Sequence, residues 1–174
     1  LKVLFPLKRV MAYDTNPDAA ARYASDVQDQ LDLEVIPVAT PREAVNGCDI
    51  IVTAGPILKT PHATIPSGWM DQGAFASLVD FDSYWHPDAL AEASKFCTDD
   101  TAQMHLYQQM GYFQQIPTLH ADLGELATGT KPGREDAAER TITANLGLAL
   151  DDMAVAPLIY QRARDKGIGS WLPL

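Results

Sequence analysis

Short apolar runs alternate with helix-start signals along most of this chain, and that alternation constrains its fold more than any other feature. Lys8-Arg-Val-Met-Ala-Tyr13 reads as a strand that ends at Asp14. Thr15-Asn16-Pro17 then supplies a capping side chain before a proline at the first helical position. The helix that follows sets Ala20, Tyr23, Ala24, Val27 and Leu31 on one stripe and leaves Asp26, Asp29 and Asp32 as a solvated face. Glu34–Val38 is the next strand, Thr40-Pro-Arg-Glu43 is a capping box, and Gly47 closes the short helix that it opens. Asp49-Ile-Ile-Val-Thr53 is nearly continuous in apolar residues, as a strand covered on both faces is. Strand signals return at Ala74–Val79, Lys95–Thr98 and Arg140–Ala144. Helix signals return at Pro87–Ala93, Thr101–Met110 and Ala121–Thr128, and in a last helix that Pro157 should kink and Gly167 ends. Leu1–Phe5 reads as the end of a helix stopped by Pro6, and Lys59–Gln72 as a proline-rich surface connection near the mouth of the sheet. The pattern predicts an α/β fold with a doubly wound, mostly parallel sheet.

Composition narrows the function classes. With 13 basic and 23 acidic side chains among 174 residues, the formal net charge is −10, which argues against a nucleic-acid groove or an anionic membrane surface. An apolar fraction of 47% is enough for a packed core. No apolar run approaches the roughly 20 residues that span a bilayer, so the expectation is a soluble, cytoplasmic protein. Cys48 and Cys97 are too few for a disulfide framework and read as inert buried thiols. His62, His86, His105 and His120 have no ligand spacing, so no metal site is expected. Ser77 and Ser83 lie in no nucleophile elbow. Tyr107, Tyr112 and Phe113 read as core, and Asp151-Asp152 as complements to the positive end of the last helix.

Open parallel sheets bind ligands beyond the carboxyl ends of their strands, which here selects Asp14, Thr53 to Gly55, Asp80 to Asp82, and Asp99 with Asp100. An acid at the end of a short strand, before a helix, is where dinucleotide folds hold the adenosine ribose hydroxyls. The same charge repels a 2′-phosphate and favours NAD over NADP. The plain alternative is that Asp14 is an acid in a turn, bonded to the amides of the next helix. Asp82, flanked by Phe81, Tyr84 and Trp85, has two readings as well: a desolvated acid/base, or a cap on the helix that begins near Pro87. The chain contains no G-x-G-x-x-G, and only 13 residues precede Asp14 where such a loop would lie about 20 residues upstream. The expectation is therefore a Rossmann-type sheet without its first strand and glycine-rich loop, in part of a longer protein. A complete chain with a divergent, cofactor-free fold is the rival.

Several stretches together resemble the ornithine cyclodeaminase and mu-crystallin family: Val10-Met-Ala-Tyr-Asp-Thr-Asn-Pro17, Glu43-Ala-Val-Asn-Gly-Cys-Asp-Ile-Ile-Val-Thr53, Lys131-Pro-Gly-Arg134, Asn145-Leu-Gly-Leu-Ala-Leu-Asp-Asp152 and Tyr160-Gln-Arg-Ala-Arg-Asp-Lys-Gly-Ile-Gly169. The resemblance implies an NAD(P)-binding domain over 1–147, with NAD as cofactor. It implies that 148–174 is a helix and tail returning to a separate substrate and dimerisation domain, so that the full-length protein is a homodimer. Asp14 then matches the ribose-binding acid, with Thr15 and Asn16 beside it. Thr53, Ala54 and Gly55 match the strand end along the cofactor, Val79 the start of the catalytic segment, and Asn145 a polar position near the nicotinamide. Asp82 matches the catalytic acid/base, while Asp80 and Phe81 replace two small residues of the family pattern. The basic residues that bind the substrate carboxylate in the family have no match here. The activity implied is hydride transfer at the α-carbon of an amino acid, through an imine, with ammonia release as in ornithine cyclodeaminase. The alternatives are a ketimine reductase or alanine dehydrogenase acting on an amino acid or cyclic imine, and a non-catalytic mu-crystallin-like binding protein.

Overall fold

The computed structural model describes residues 1–172. In chain order the elements are β1 (Arg9–Ala12), α1 (Pro17–Leu31), β2 (Glu34–Pro37), α2 (Pro41–Val45), β3 (Ile50–Thr53) and β4 (Phe75–Leu78). They continue as α3 (Pro87–Leu90), β5 (Lys95–Thr98), α4 (Thr101–Gln109), β6 (Leu119–Asp122), α5 (Leu123–Thr128), β7 (Thr141–Ala144) and α6 (Ala149–Lys166). Every strand pair is parallel, and the strands form two sheets, β1-β2 and β3-β4-β7-β5-β6. Parallel neighbours need crossover connections, which the helices and long loops supply. β1 and β3 thus each keep one edge free of strand pairing among the described residues.

Local chemistry explains most boundaries. Asn16 accepts from the Asp18 amide at 3.0 Å and caps α1 ahead of Pro17. The box at α2 closes in both directions: Thr40 Oγ1 accepts from the Glu43 amide, and Glu43 Oε2 accepts from the Thr40 amide at 2.9 Å. Glu43 is held below the usual carboxylate range, chiefly by the Thr40 side-chain hydrogen bond. At α6, Asp151 and Asp152 lie in the first turn and Arg164 and Lys166 in the last, in line with the helix dipole.

The structure corrects several expectations. Leu1–Phe5 form one exposed turn, with Leu4 and Phe5 amides both donating to the Leu1 carbonyl, because a single turn has too few bonds to persist as helix. On α1 only Ala20 and Ala24 are buried, and Tyr23 and Leu31 face outward. β3 is an edge strand, and Val52 is 47% exposed rather than covered. Leu119–Asp122 is a strand rather than helix; Asp122 opens α5 with a second capping box. Cys97 is buried in β5, whereas Cys48 sits half-buried in the turn after α2. Burial pushes both thiols up. The connection over 59–72 lies mostly at the surface, as expected, but it is anchored: Ile65 and Met70 enter the core, and His62, Thr64 and Ile65 amides donate to the Ser83 and Tyr84 carbonyls. Helix α6 runs through Pro157 to Lys166, with Gly167 in a left-handed cap.

The main core lies on one face of the five-stranded sheet, where Ala76, Leu78, Phe96, Ile142 and Ala144 pack against Trp85, Leu90, Met104 and Phe113. Burying each large side chain here stabilises the fold by about 1.5–3 kcal/mol. Phe81 joins this core in the αL region, at φ 62°. Its ring sits 4.9 Å from both Tyr107 and Phe113 and 5.5 Å from Tyr112. The predicted aromatic cluster is thus core, organised around a residue that would otherwise avoid this backbone. Helix α6 stands apart: none of its residues is buried, and Leu150, Met153, Leu158 and Ile159 are exposed. Residues 173 and 174 of the predicted tail lie outside the described residues.

Candidate functional site

Adjacent strands β3 and β4 end side by side, and the Val79 amide continues their ladder by donating to the Thr53 carbonyl at 2.9 Å. Beyond that bond the two chains separate into the turn Ala54-Gly55-Pro56 and the turn Asp80–Tyr84. Thr53, Ala54, Gly55 and Val79 border this strand-end crevice, and Asp82 lies in the turn that follows β4. Asn145 follows β7, the neighbour of β4 on its other side. Asp14, Thr15 and Asn16 follow β1, in the two-stranded sheet.

Asp80 is wholly buried where the two turns meet. Its Oδ1 accepts from the Thr53 hydroxyl at 2.7 Å, and its Oδ2 accepts from the Gly55 amide at 3.0 Å. Thr53 Oγ1 also accepts from Trp85 Nε1 at 3.3 Å. The Tyr84 hydroxyl donates to the Pro56 carbonyl at 3.0 Å, and its ring lies so close over Gly55 that a Cβ there would fall 2.6 Å from it. Ser83 Oγ donates to the Asp80 carbonyl at 2.6 Å and accepts from the Leu58 amide at 2.9 Å. Burial raises the Asp80 carboxyl above its ordinary range, against the opposing pull of the Gly55 amide and Thr53 hydroxyl.

Asp82 is 7% exposed, and its Oδ1 is buried with no hydrogen-bond partner. Burial raises its carboxyl as well, with the backbone amides of Asp82 and Phe113 opposing. The capping alternative fails on geometry: His86 occupies the cap of α3 and makes no side-chain cap bond. A carboxyl that is desolvated, raised and left with a bare oxygen is suited to proton transfer.

At the other sheet, Asp14 Oδ1 accepts from the Asn16 amide at 2.7 Å. Its second oxygen makes no hydrogen bond among the described residues, so an acceptor remains on this exposed side chain. Asn16 is committed to its cap. Asn145 is committed too: its Nδ2 donates to Ser77 Oγ at 2.8 Å, tying β7 to β4. Asp99 Oδ2 accepts from the Leu146 and Gly147 amides at 2.8 and 2.7 Å, so it pins the turn after β7. Carboxylates therefore already occupy the backbone donors at the ends of β3 and β7. Two hollows are found: an open one of about 450 Å³ along α4, and one of about 310 Å³ beneath α5 between Phe75, Cys97, Thr143 and Leu126, which Asp99 and Asn145 also line. Asp14, Asp80 and Asp82 line neither of them.

Sequence reasoning missed the roles of Asp80, Tyr84 and Trp85. The available signal was the pairing of Thr53-Ala-Gly55 at one strand end with Asp80-Phe-Asp82 at the next, donors opposite acceptors.

Comparison with known proteins agrees with this architecture. Over 97% of its length the chain is 31% identical to the N-((2S)-2-amino-2-carboxyethyl)-L-glutamate dehydrogenase of Staphylococcus aureus, of which it covers 51%. It superposes on an archaeal alanine dehydrogenase dimer with bound NAD, with a TM-score of 0.75, 26% identity, and coverage of 100% of this chain and 55% of that one. It also superposes on the Thermococcus litoralis Δ1-pyrroline-2-carboxylate reductase in complex with NADH and L-proline, with a TM-score of 0.74, 25% identity, and coverage of 95% and 53%. The chain spans about half the length of the relatives it matches. The family model for ornithine cyclodeaminase/mu-crystallin matches residues 1–167, and the chain belongs to that family.

Proposed function

We propose that this chain is the cofactor-binding part of an NAD-dependent oxidoreductase that interconverts a small amino acid and its imine, with Asp82 as the acid/base. The observation that carries the reading is the Asp82 carboxyl, raised by burial and bare at Oδ1, beside the crevice of two parallel strand ends. Named relatives that are a dehydrogenase and a reductase support the redox class.

The residues present fit part of the cofactor. The free oxygen of Asp14 suits a ribose hydroxyl, with Thr15 and Asn16 shaping the turn around it. Its charge disfavours a 2′-phosphate, hence NAD over NADP. Thr53, Ala54, Gly55 and Val79 form the wall of the crevice, and Asn145 fixes its far side through Ser77. No glycine-rich cradle is among these residues. When bound, NAD supplies a two-electron acceptor or donor for the hydrogen on the substrate α-carbon. In the reducing direction the Asp82 carboxyl gives its proton to the imine nitrogen and is left as carboxylate. In the oxidising direction the carboxylate takes that proton back from the amine. A carboxyl raised by burial keeps its proton to higher pH than an ordinary aspartate, which suits it to give that proton up to the imine and take it back.

Residues 148–174 dock on a separate substrate and dimerisation domain in this reading, and the enzyme is a homodimer. The support is α6 itself, a long helix whose apolar residues are all outside the core. A second reading, ammonia release as in ornithine cyclodeaminase, shares the same hydride step and the same use of Asp82.

The test is Asp82→Asn in the full gene product, screened with amino acids and cyclic imines by NADH fluorescence and absorbance. The expected result is a turnover loss of about 10²-fold or more with NADH affinity retained. Unchanged turnover sinks the catalytic role. Failure of the wild-type product to bind NADH favours the non-catalytic, mu-crystallin-like alternative.

A further inference from the structure

We propose that Asp80 is a positioning residue: through the Thr53 hydroxyl and the Gly55 amide it clamps the turn after β3 into the shape that receives the cofactor. The proposal rests on the cofactor reading given above and adds a residue that neither the family resemblance nor the relatives assign.

One carboxyl group reaches across two strand ends and accepts from two donors of the opposite strand end, the Thr53 hydroxyl at 2.7 Å and the Gly55 amide at 3.0 Å. It does so from a wholly buried position, where an unpartnered donor or acceptor is costly. The clamp has supporting contacts on each side. Thr53 Oγ1 is held in turn by Trp85 Nε1, a buried side chain, and Tyr84 closes over Gly55 and bonds the Pro56 carbonyl. Ser83 bridges the Asp80 carbonyl to the Leu58 amide, which anchors the chain just past the turn. The stretch from Thr53 to Leu58 is thus fastened at four points by the single turn Asp80–Trp85, and Asp80 makes two of the five bonds.

The chemistry of the clamp depends on shape rather than on charge. An amide at position 80 can present its oxygen to the Gly55 amide and its NH₂ to Thr53 Oγ1, which has a second lone pair beside the one Trp85 uses. An alanine can do neither. Asn therefore rescues and Ala does not, a contrast that a purely electrostatic role of the carboxylate would not produce.

The experiment compares wild type, Asp80→Ala and Asp80→Asn in the full gene product by NADH titration, steady-state kinetics and hydrogen exchange at the Gly55 amide. For Asp80→Ala the expected result is Gly55 exchange faster by about tenfold or more, and a cofactor Kd and KM raised by about tenfold, for the loss of two buried bonds. At saturating cofactor its kcat stays within about threefold of wild type, because the proton-transfer group is untouched. Asp80→Asn stays within about threefold of wild type in every readout. Unchanged Gly55 exchange in Asp80→Ala overturns the clamp, and so does an Asn variant as impaired as the Ala variant. If wild type binds no NADH, the cofactor reading fails, yet the exchange measurement still decides whether Asp80 holds the turn. Should Asp80→Ala not fold, Gly55→Ala replaces it, since the added Cβ displaces the Tyr84 ring from the same turn. Its cofactor Kd is expected to rise likewise, and an unchanged Kd overturns the proposal.

Discussion

Phe81 offers a sharp test of how the Asp80–Asp82 turn is held, because two opposing effects meet in one residue. Its ring is 4% exposed and packs on Tyr107, Tyr112 and Phe113, while its backbone sits at φ 62°. Truncation to alanine removes the ring and leaves a cavity, which costs about 3–5 kcal/mol. The αL backbone strain of roughly 1–2 kcal/mol stays, because alanine keeps its Cβ. Truncation to glycine forfeits the same ring but relieves that strain, against an unfolded-state entropy cost of about 0.4–1 kcal/mol. Phe81→Gly should therefore be more stable than Phe81→Ala by about 0.5–1 kcal/mol, the reverse of the ordinary order. For a chain of this size that is a gap of roughly 1–4 °C in Tm, below a wild type that stands on the order of 6–20 °C above both. Urea midpoints at constant m-value measure the same difference. A glycine variant less stable than the alanine variant would refute the strain, and with it the idea that aromatic packing forces this turn into shape.

Further expectations follow from the titrating groups and caps. Burial raises Asp82 in the folded state, so its contribution to stability is complete below the ordinary carboxyl range and is lost as pH climbs through the raised folded value. Asp82→Asn should thus flatten the stability profile above the ordinary carboxyl range and raise the urea midpoint at neutral pH; an unchanged profile would count against a desolvated carboxyl. Lys95 bonds the Glu135 carboxylate at 2.7 Å, lies 3.4 Å from Glu139 and also donates to the Gly133 carbonyl. The hydrogen bonds that Lys95 donates to Glu135 first and Glu139 next raise its ammonium, so its contribution is full below the unfolded lysine range and falls as pH rises through the folded one. Lys95→Met should lower the melting temperature at neutral pH and remove the alkaline slope, whereas loss of the exposed Glu135 carboxylate alone, in Glu135→Gln, should do less. Thr40→Ala should cost about 1 kcal/mol by opening the α2 capping box, with faster amide exchange at Glu43 as the local sign.

The acidic balance of the chain takes on a specific meaning at the strand ends. Asp14, Asp80, Asp99, Asp100 and Asp122 each accept a nearby backbone amide, so much of the negative charge is used to tie turns and start helices. Asp82 has no such partner for its Oδ1. Chemistry is therefore better sought at Asp82, whose Oδ1 is buried without a donor, than at these five aspartates.

What the sequence by itself determined was local and periodic. The caps at Asn16 and Thr40, the closing glycines at Gly47 and Gly167, and strand β5 all follow from side-chain chemistry within a few residues. The α/β class follows from the alternation of such elements, because parallel strands must be joined by crossovers. Strand β6 escaped, since Leu119–Asp122 is short and runs straight into a helix, where periodicity has no room to declare itself. The tertiary structure alone decided which strands share a sheet, that β3 lies at an edge with Val52 exposed, and that the connection over 59–72 sends Ile65 and Met70 into the core. It alone also showed what each aspartate bonds. Asp80 and Asp82 are two residues apart and equally polar on paper. The Gly55 amide and the Thr53 hydroxyl, 25 and 27 residues away, satisfy both oxygens of Asp80, while Asp82 Oδ1 is left without a partner. Hydrogen-bond partners that distant in sequence exist only once the strands are paired, which is why the bonds from Thr53 and Gly55 to Asp80 were not legible in the sequence.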